Sequence, residues 1–245
     1  MEGKLYTRNE YNLRFDLVAV ASGGDGTLRI YSAGDFKPNG VVRLGDDADN
    51  VRVDARNGHI VVGYGDGALA VIDPIKAVTL GEIKLPEHPE SFRLSGGKVF
   101  VNVPNARQIV VADLDAEKIV SVWKQVVLHS NFPMIQDDNG HVAVVFRGPA
   151  RLVLLDAGTG KQGASVDTCG DADDLFFDRV RKRFYVSCGA GVVDAFGADL
   201  KPLGRIPTRS GARTSLFVPE LDRLFLAERA GMLGNEAVVA VLRPQ

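Results

Sequence analysis

Two short acidic segments share a pattern that could do chemistry. Asp47-Ala48-Asp49-Asn50 and Asp171-Ala172-Asp173-Asp174 match in order, and Asp49 and Asp173 lie 124 residues apart. Carboxylates gathered in one place repel one another unless some are protonated or a cation joins them. Oxygen ligands of this kind suit calcium or magnesium, and added imidazoles shift the preference towards zinc or another transition metal. Three segments at related spacing supply further donors: His88-Pro89-Glu90-Ser91, His129-Ser130-Asn131 and Arg213-Thr214-Ser215. The expected metal ligands are therefore Asp49, Asn50, Glu90, Asn131, Asp173 and Asp174, around calcium, zinc or manganese, with no organic cofactor. An ion left open on one side acidifies a bound water and polarises a carbonyl or phosphoryl oxygen. In that chemistry Asp49, Asp173 and Glu90 hold the ion or act as base, and His88 or His129 carries protons. Arg107, Arg147 and Arg213 form a second set, able to clasp an anion through paired N–H donors. The plainer alternative is that the Asp and Asn side chains cap turns and the arginines are solvated.

What positions these residues is a repeat of four short strands that returns about every 41 residues. Its clearest copy reads ADNVRVD, HIVVGYG, ALAVIDP and TLGEIKLP, each run rich in Val, Ile or Leu and bounded by Gly, Asn, Asp or Pro. Asp73, Asp113 and Asp156 close successive third strands, 40 and 43 residues apart. Such a period with four strands per unit predicts the blades of an all-β propeller, six of them in this chain. The expected blades cover about 48–86, 89–128, 130–169, 172–207 and 212–244, with a first unit ahead of them. The last blade shows three strands, and KLYTR (4–8) is available to complete it. The reading sets 1–16 apart as an atypical N-terminal segment and 17–245 as the propeller domain. Three repeats in a ring of six place Asp49 and Asp173 on opposite sides of the channel mouth. Gly58, Gly97 and Gly140 fall in tight turns on the other face, where a positive φ is expected.

Composition narrows the partners. Lys plus Arg (29) nearly balances Asp plus Glu (31), with no basic stripe interleaved with aromatics, so no nucleic acid is expected. No apolar run approaches the ~18 residues of a membrane span, so no membrane partner is expected either. Nothing matches a GxSxG nucleophile elbow, a Walker loop or HExxH. Cys169 and Cys188 are the two cysteines; the favoured reading is a pair of small buried thiols, with bridging left open. Trp123 is expected to pack between blades. Charges in MEGKLYTRNEYNLRF interrupt any secretory apolar segment, which places the chain as written in the cytoplasm.

The runs GGDGTLRIY (23–31), GDDADNVRVD (45–54), VGYGDGALAVID (62–73), GDADDLFFD (170–178) and ARTSLFVPELDRLFLA (212–227) resemble the YVTN-repeat, or YncE-like, propellers of bacteria. The resemblance covers about residues 17–245. It implies a soluble propeller, usually of seven blades and often exported, from a branch whose role is largely unassigned. A periplasmic location follows if this chain is a shortened form of an exported member.

Three functions fit these residues. The first is a module binding a divalent metal or a small anionic ligand at the channel mouth. The second is a metal-dependent hydrolase of esters, lactones or phosphotriesters, and the third a non-catalytic protein-interaction scaffold. An open ring edge would add homo-oligomerisation.

Overall fold

A computed structural model describes residues 7–231 and 236–245. Blade one is β1 (Thr7–Asn12), β2 (Leu17–Ser22), β3 (Thr27–Ser32) and β4 (Pro38–Arg43). Blade two is β5 (Asn50–Val53), β6 (Ile60–Tyr64), β7 (Ala68–Asp73) and β8 (Val78–Lys84). Blade three is β9 (Phe92–Ser95), β10 (Lys98–Val103), β11 (Gln108–Asp113) and β12 (Lys118–Lys124). Blade four is β13 (His129–Gln136), β14 (His141–Gly148), β15 (Ala150–Asp156) and β16 (Gln162–Asp167). Blade five is β17 (Ala172–Asp178), β18 (Arg183–Cys188), β19 (Val192–Gly197) and β20 (Pro202–Pro207). Blade six is β21 (Ser215–Val218), β22 (Arg223–Glu228) and β23 (Val238–Leu242), with a 3₁₀ turn at Pro219–Leu221. Each blade is an antiparallel meander whose neighbours in sequence are neighbours in the sheet; five have four strands, and the sixth has three among the described residues. The protein is an all-β propeller of six blades, with boundaries close to those read from the repeat.

The chain divides into two compact units, one ending at Gln125 and one beginning at Val126, each holding three blades. Within each unit the core follows from the period-2 alternation of strands. In β6, Ile60 and Val62 pack with Leu28 and Ile30 of blade one, whereas Val61 turns the other way to Phe92 and Val110 of blade three. In β18, Phe184 and Val186 join Leu152 and Leu154 of blade four, and Tyr185 joins Phe217 and Leu224 of blade six. The second strands of blades two and five are thus apolar on both faces because a blade of the same unit covers each side. Outer strands are not: β20 is exposed along its whole length, and β12 buries Trp123 alone.

Two expectations are corrected. Thr7 and Arg8 do not complete blade six; they pair with Ser22 and Ala21 in blade one, whose inner strand ends at Asn12, and Lys4–Tyr6 lie outside the described residues. Trp123 is buried in β12 beside Phe100 of the same blade, ring centroids 5.6 Å apart. Cys169 and Cys188 form a disulfide, Cα atoms 5.9 Å apart, and are not free thiols. The pairing follows from register: Ala172 lies opposite Cys188 in the sheet, so the three residues before β17 carry Cys169 alongside.

The turns between first and second strands are built on one device. Asp54, Asp137 and Asp178 are buried and accept backbone N–H bonds from residues two to four positions on. Each also binds a nitrogen-bearing side chain: Arg56, His141 or Arg181. Arg56 reaches on to Asp115 of blade three and Arg181 to Asp222 of blade six, so each arginine ties neighbouring blades inside one unit. Gly58, Gly97 and Gly140 have φ of 80°, 85° and 82°, the left-handed turn positions expected of them. At Gly58 a side chain is also excluded by space, since a Cβ would lie 2.5 Å from the Phe15 ring.

Candidate functional site

The second unit brings its acidic loop and two arginines together. The loop reaches β17 through Asp171 at φ 57°, a left-handed conformation that Asp tolerates better than most residues. Gly189 lets the carboxylate approach the next turn, because a Cβ there would lie 2.0 Å from Asp171 Oδ2. Arg147, near the end of β14, donates through Nε to the Ala172 carbonyl (2.7 Å) and through Nη2 to Asp173 Oδ1 (2.9 Å). Its Nη1 lies 3.4 Å from Asp171 Oδ1, and its guanidinium stacks on Phe132, 3.9 Å from the ring centroid. Arg213, just before β21, donates through Nη1 to both Asp171 oxygens at 2.6 and 2.5 Å, with Nε 3.8 Å from Asp173 Oδ2. Asp174 turns aside and accepts the Ser215 N–H at 2.6 Å, while the Ser215 hydroxyl reaches Ser187 at 2.7 Å.

Two carboxylates and two guanidiniums therefore neutralise one another over blades four to six. The counter-charge demanded by the acidic loop is supplied by arginine, which offers forked, directional donors. Two further sequence-selected residues of this unit lie in β13. His129 is exposed, its Nδ1 3.1 Å from the Ser130 hydroxyl, and Asn131 is fully buried in β13.

The first unit repeats the backbone with other side chains. Asp47, like Asp171, is left-handed, at φ 55°. His88 Nδ1 lies 2.6 Å from the Gly65 carbonyl, which fixes Nδ1 as the protonated nitrogen, and Nε2 lies 3.8 Å from Asp47 Oδ2. Asp49 accepts a bond from Asn50 (2.7 Å). Glu90 is placed by its backbone N–H on the Asn102 carbonyl, 2.9 Å. Arg107 occupies a left-handed turn position, φ 51°, and is exposed.

Sequence reasoning missed Asp171 and Asp47 as pairing groups, and also Phe132 and Ser187. The signal for the two aspartates was present, since each opens one of the duplicated loops. It also missed Glu10, which faces Arg52 and Arg93 from matching positions of the three inner strands. Burial drives the Glu10 carboxyl above its usual range, against the pull of the two arginines. No group of three or more His, Cys, Asp or Glu close enough to hold a metal occurs among the described residues. A shallow cavity of about 340 Å³ lies by His141, Asp156, Thr159 and Lys161, and none of the selected residues lines it.

No family model and no curated protein matches this chain. Among solved structures, it is similar to a chain in a crystal structure of a mitotic checkpoint complex. That match has a TM-score of 0.82 at 13% identity and covers 100% of this chain and 76% of the other. A likeness at this identity shows the propeller fold, and the resemblance to YVTN-repeat proteins rests on the quoted residues alone. No helix among the described residues is long and apolar enough to cross a membrane.

Proposed function

We propose that this propeller is a non-catalytic interaction scaffold, presenting the loops of blades four to six to a protein partner. The supporting observation is the self-neutralised cluster of Asp171, Asp173, Arg147 and Arg213. Its charges are matched within the chain, and its donors are held in place by stacking on Phe132 and by the Ala172 carbonyl. Preorganised charged groups of this kind favour a specific partner and penalise a wrong one. The structural neighbour comes from a protein assembly, which agrees with this use of the fold but does not carry it. We place the work in an oxidising compartment, because a disulfide between buried cysteines persists there. That is a different location from the cytoplasm expected from the N-terminus.

Metal content measured by mass spectrometry, before and after chelator, is the first test, followed by an ester, lactone and phosphotriester panel. The scaffold reading expects no stoichiometric ion and no turnover. A tightly held ion whose loss with Asp173→Ala also abolishes turnover would overturn it in favour of the hydrolase. For the partner itself, a photo-crosslinker at position 147 should capture a protein that one at position 138, in a turn of the opposite face, does not. Equal capture at both positions would count against the assigned face.

A further inference from the structure

We propose that the outer edge of β23 joins two copies of this chain, strand to strand and antiparallel about Ala240. The argument starts from how the other blades end. Their outer strands carry residues that discourage edge pairing. These are Pro38 and Gly40 in β4, Glu82 and Lys84 in β8, Lys118 and Lys124 in β12, Asp167 in β16, and Pro202 and Arg205 in β20. Each of these strands also slips register against its third strand. Such irregularities twist an edge away from further pairing.

Blade six has neither protection. Its β22 and β23 run in unbroken register from Glu228 opposite Val238 to Leu224 opposite Leu242. The sequence of β23 is Val-Val-Ala-Val-Leu, without charge, Pro or Gly, as expected of a strand built to be paired on both sides. Third strands elsewhere are bonded to a fourth; β23 has no strand on its far side among the described residues. Val238, Val239 and Val241 stand 41%, 62% and 54% exposed.

A second copy needs no further segment, because β23 is complementary to itself. Centred on Ala240, antiparallel pairing sets Val239 against Val241 of the other copy and Val238 against its Leu242. Four valines meet on one face, and directly opposed apolar β-branched pairs stabilise a sheet. Arg243 falls opposite Ala237 and Glu236 opposite Pro244, so no like charges are opposed. The contact is isologous, which closes at two copies and does not propagate.

The test is sedimentation velocity of the full chain, without reductant, across a wide concentration series. A monomer–dimer equilibrium is expected, and Val239→Lys/Val241→Lys, at two exposed positions, should weaken it by more than tenfold. Val239→Thr/Val241→Thr, which keeps β-branching, should weaken it less, and it keeps the test open if the lysine variant fails to fold. Amide exchange across 238–242 should slow as concentration rises. A monomer at every concentration overturns the proposal, as does a dimer that both variants leave intact. Concentration-independent protection of 238–242 would also overturn it, by showing that another part of the same chain covers the edge.

Discussion

The Cys169–Cys188 bridge gives the most direct test of how the acidic loop is held. Nineteen residues separate the two cysteines, and closing a loop of that length in the unfolded chain is worth about 3 kcal/mol in the chain-entropy account. Both cysteines are nearly or fully buried, so reductant should be applied in denaturant and the chain refolded. With a urea slope of about 2 kcal/mol per molar, the midpoint for the second unit should fall by roughly 1–2 M, followed by far-UV circular dichroism. Hydrogen exchange then locates the loss. Protection should drop at 168–174 in the reduced protein, while the equivalent loop at 44–50 is unchanged and serves as an internal control. There the contact is noncovalent: Tyr64 packs on Gly45, where a Cβ would lie 3.4 Å from the ring. Two labelled cysteines in the unreduced, denatured chain would refute the bridge outright. A loss under about 1 kcal/mol would refute the claim that it is the main restraint on the loop.

Three further predictions follow from the turns and the cluster. Gly58→Ala forces a side chain into a left-handed position and against Phe15, so it should cost about 1–3 kcal/mol and lower Tm by several degrees; an unchanged Tm would contradict the turn geometry. For Asp54, Asp137 and Asp178, burial raises the carboxyl pKa, but bonds from Arg56, His141, Arg181 and backbone N–H groups outweigh it, so all three lie below the usual range. The unfolded chain therefore binds protons first, and the stability these groups confer is complete above about pH 4 and lost as pH falls through the folded values. Asp178→Asn should flatten acid unfolding below pH 4, and an identical acid profile would remove Asp178 from that account. A double-mutant cycle on Arg147→Ala and Asp173→Ala should give a coupling of about 0.5–1 kcal/mol in urea unfolding, as befits a pair each about one-fifth exposed. Additive losses would mean that the pair has no energetic content.

The blades could be read from sequence because their cause is local. Val61 alternating with Ile60 and Val62, and an Asp or Asn before each tight turn, are visible within a few residues of one another. The charged site depends on neighbours from different blades. Arg147 and Asp173 are 26 residues apart and meet only because one blade's second turn overhangs the next blade's inner strand. Sorting aspartates as metal ligands and arginines as anion binders separated two sets that the structure pairs. The disulfide was hidden for a similar reason, since its distance depends on the register of Ala172 against Cys188.

The duplicated loop shows how one backbone carries two chemistries. Asp47 and Asp171 share their left-handed geometry, and each meets a side chain from the connection into the following blade. In the first unit that partner is His88, at 3.8 Å; in the second it is Arg213, at 2.6 Å. An imidazole has one ring N–H left to face the carboxylate at most, whereas a guanidinium is charged at every accessible pH and binds both carboxylate oxygens. The equivalent of the Cys169–Cys188 bridge is a noncovalent packing of Tyr64 on Gly45. The second loop is thus fixed by a covalent tie and a permanent ion pair, and the first by weaker contacts. A binding face benefits from rigidity because less order is lost when a partner docks. That asymmetry, set by three differences on a common frame, is the physical reason to look for the partner on blades four to six.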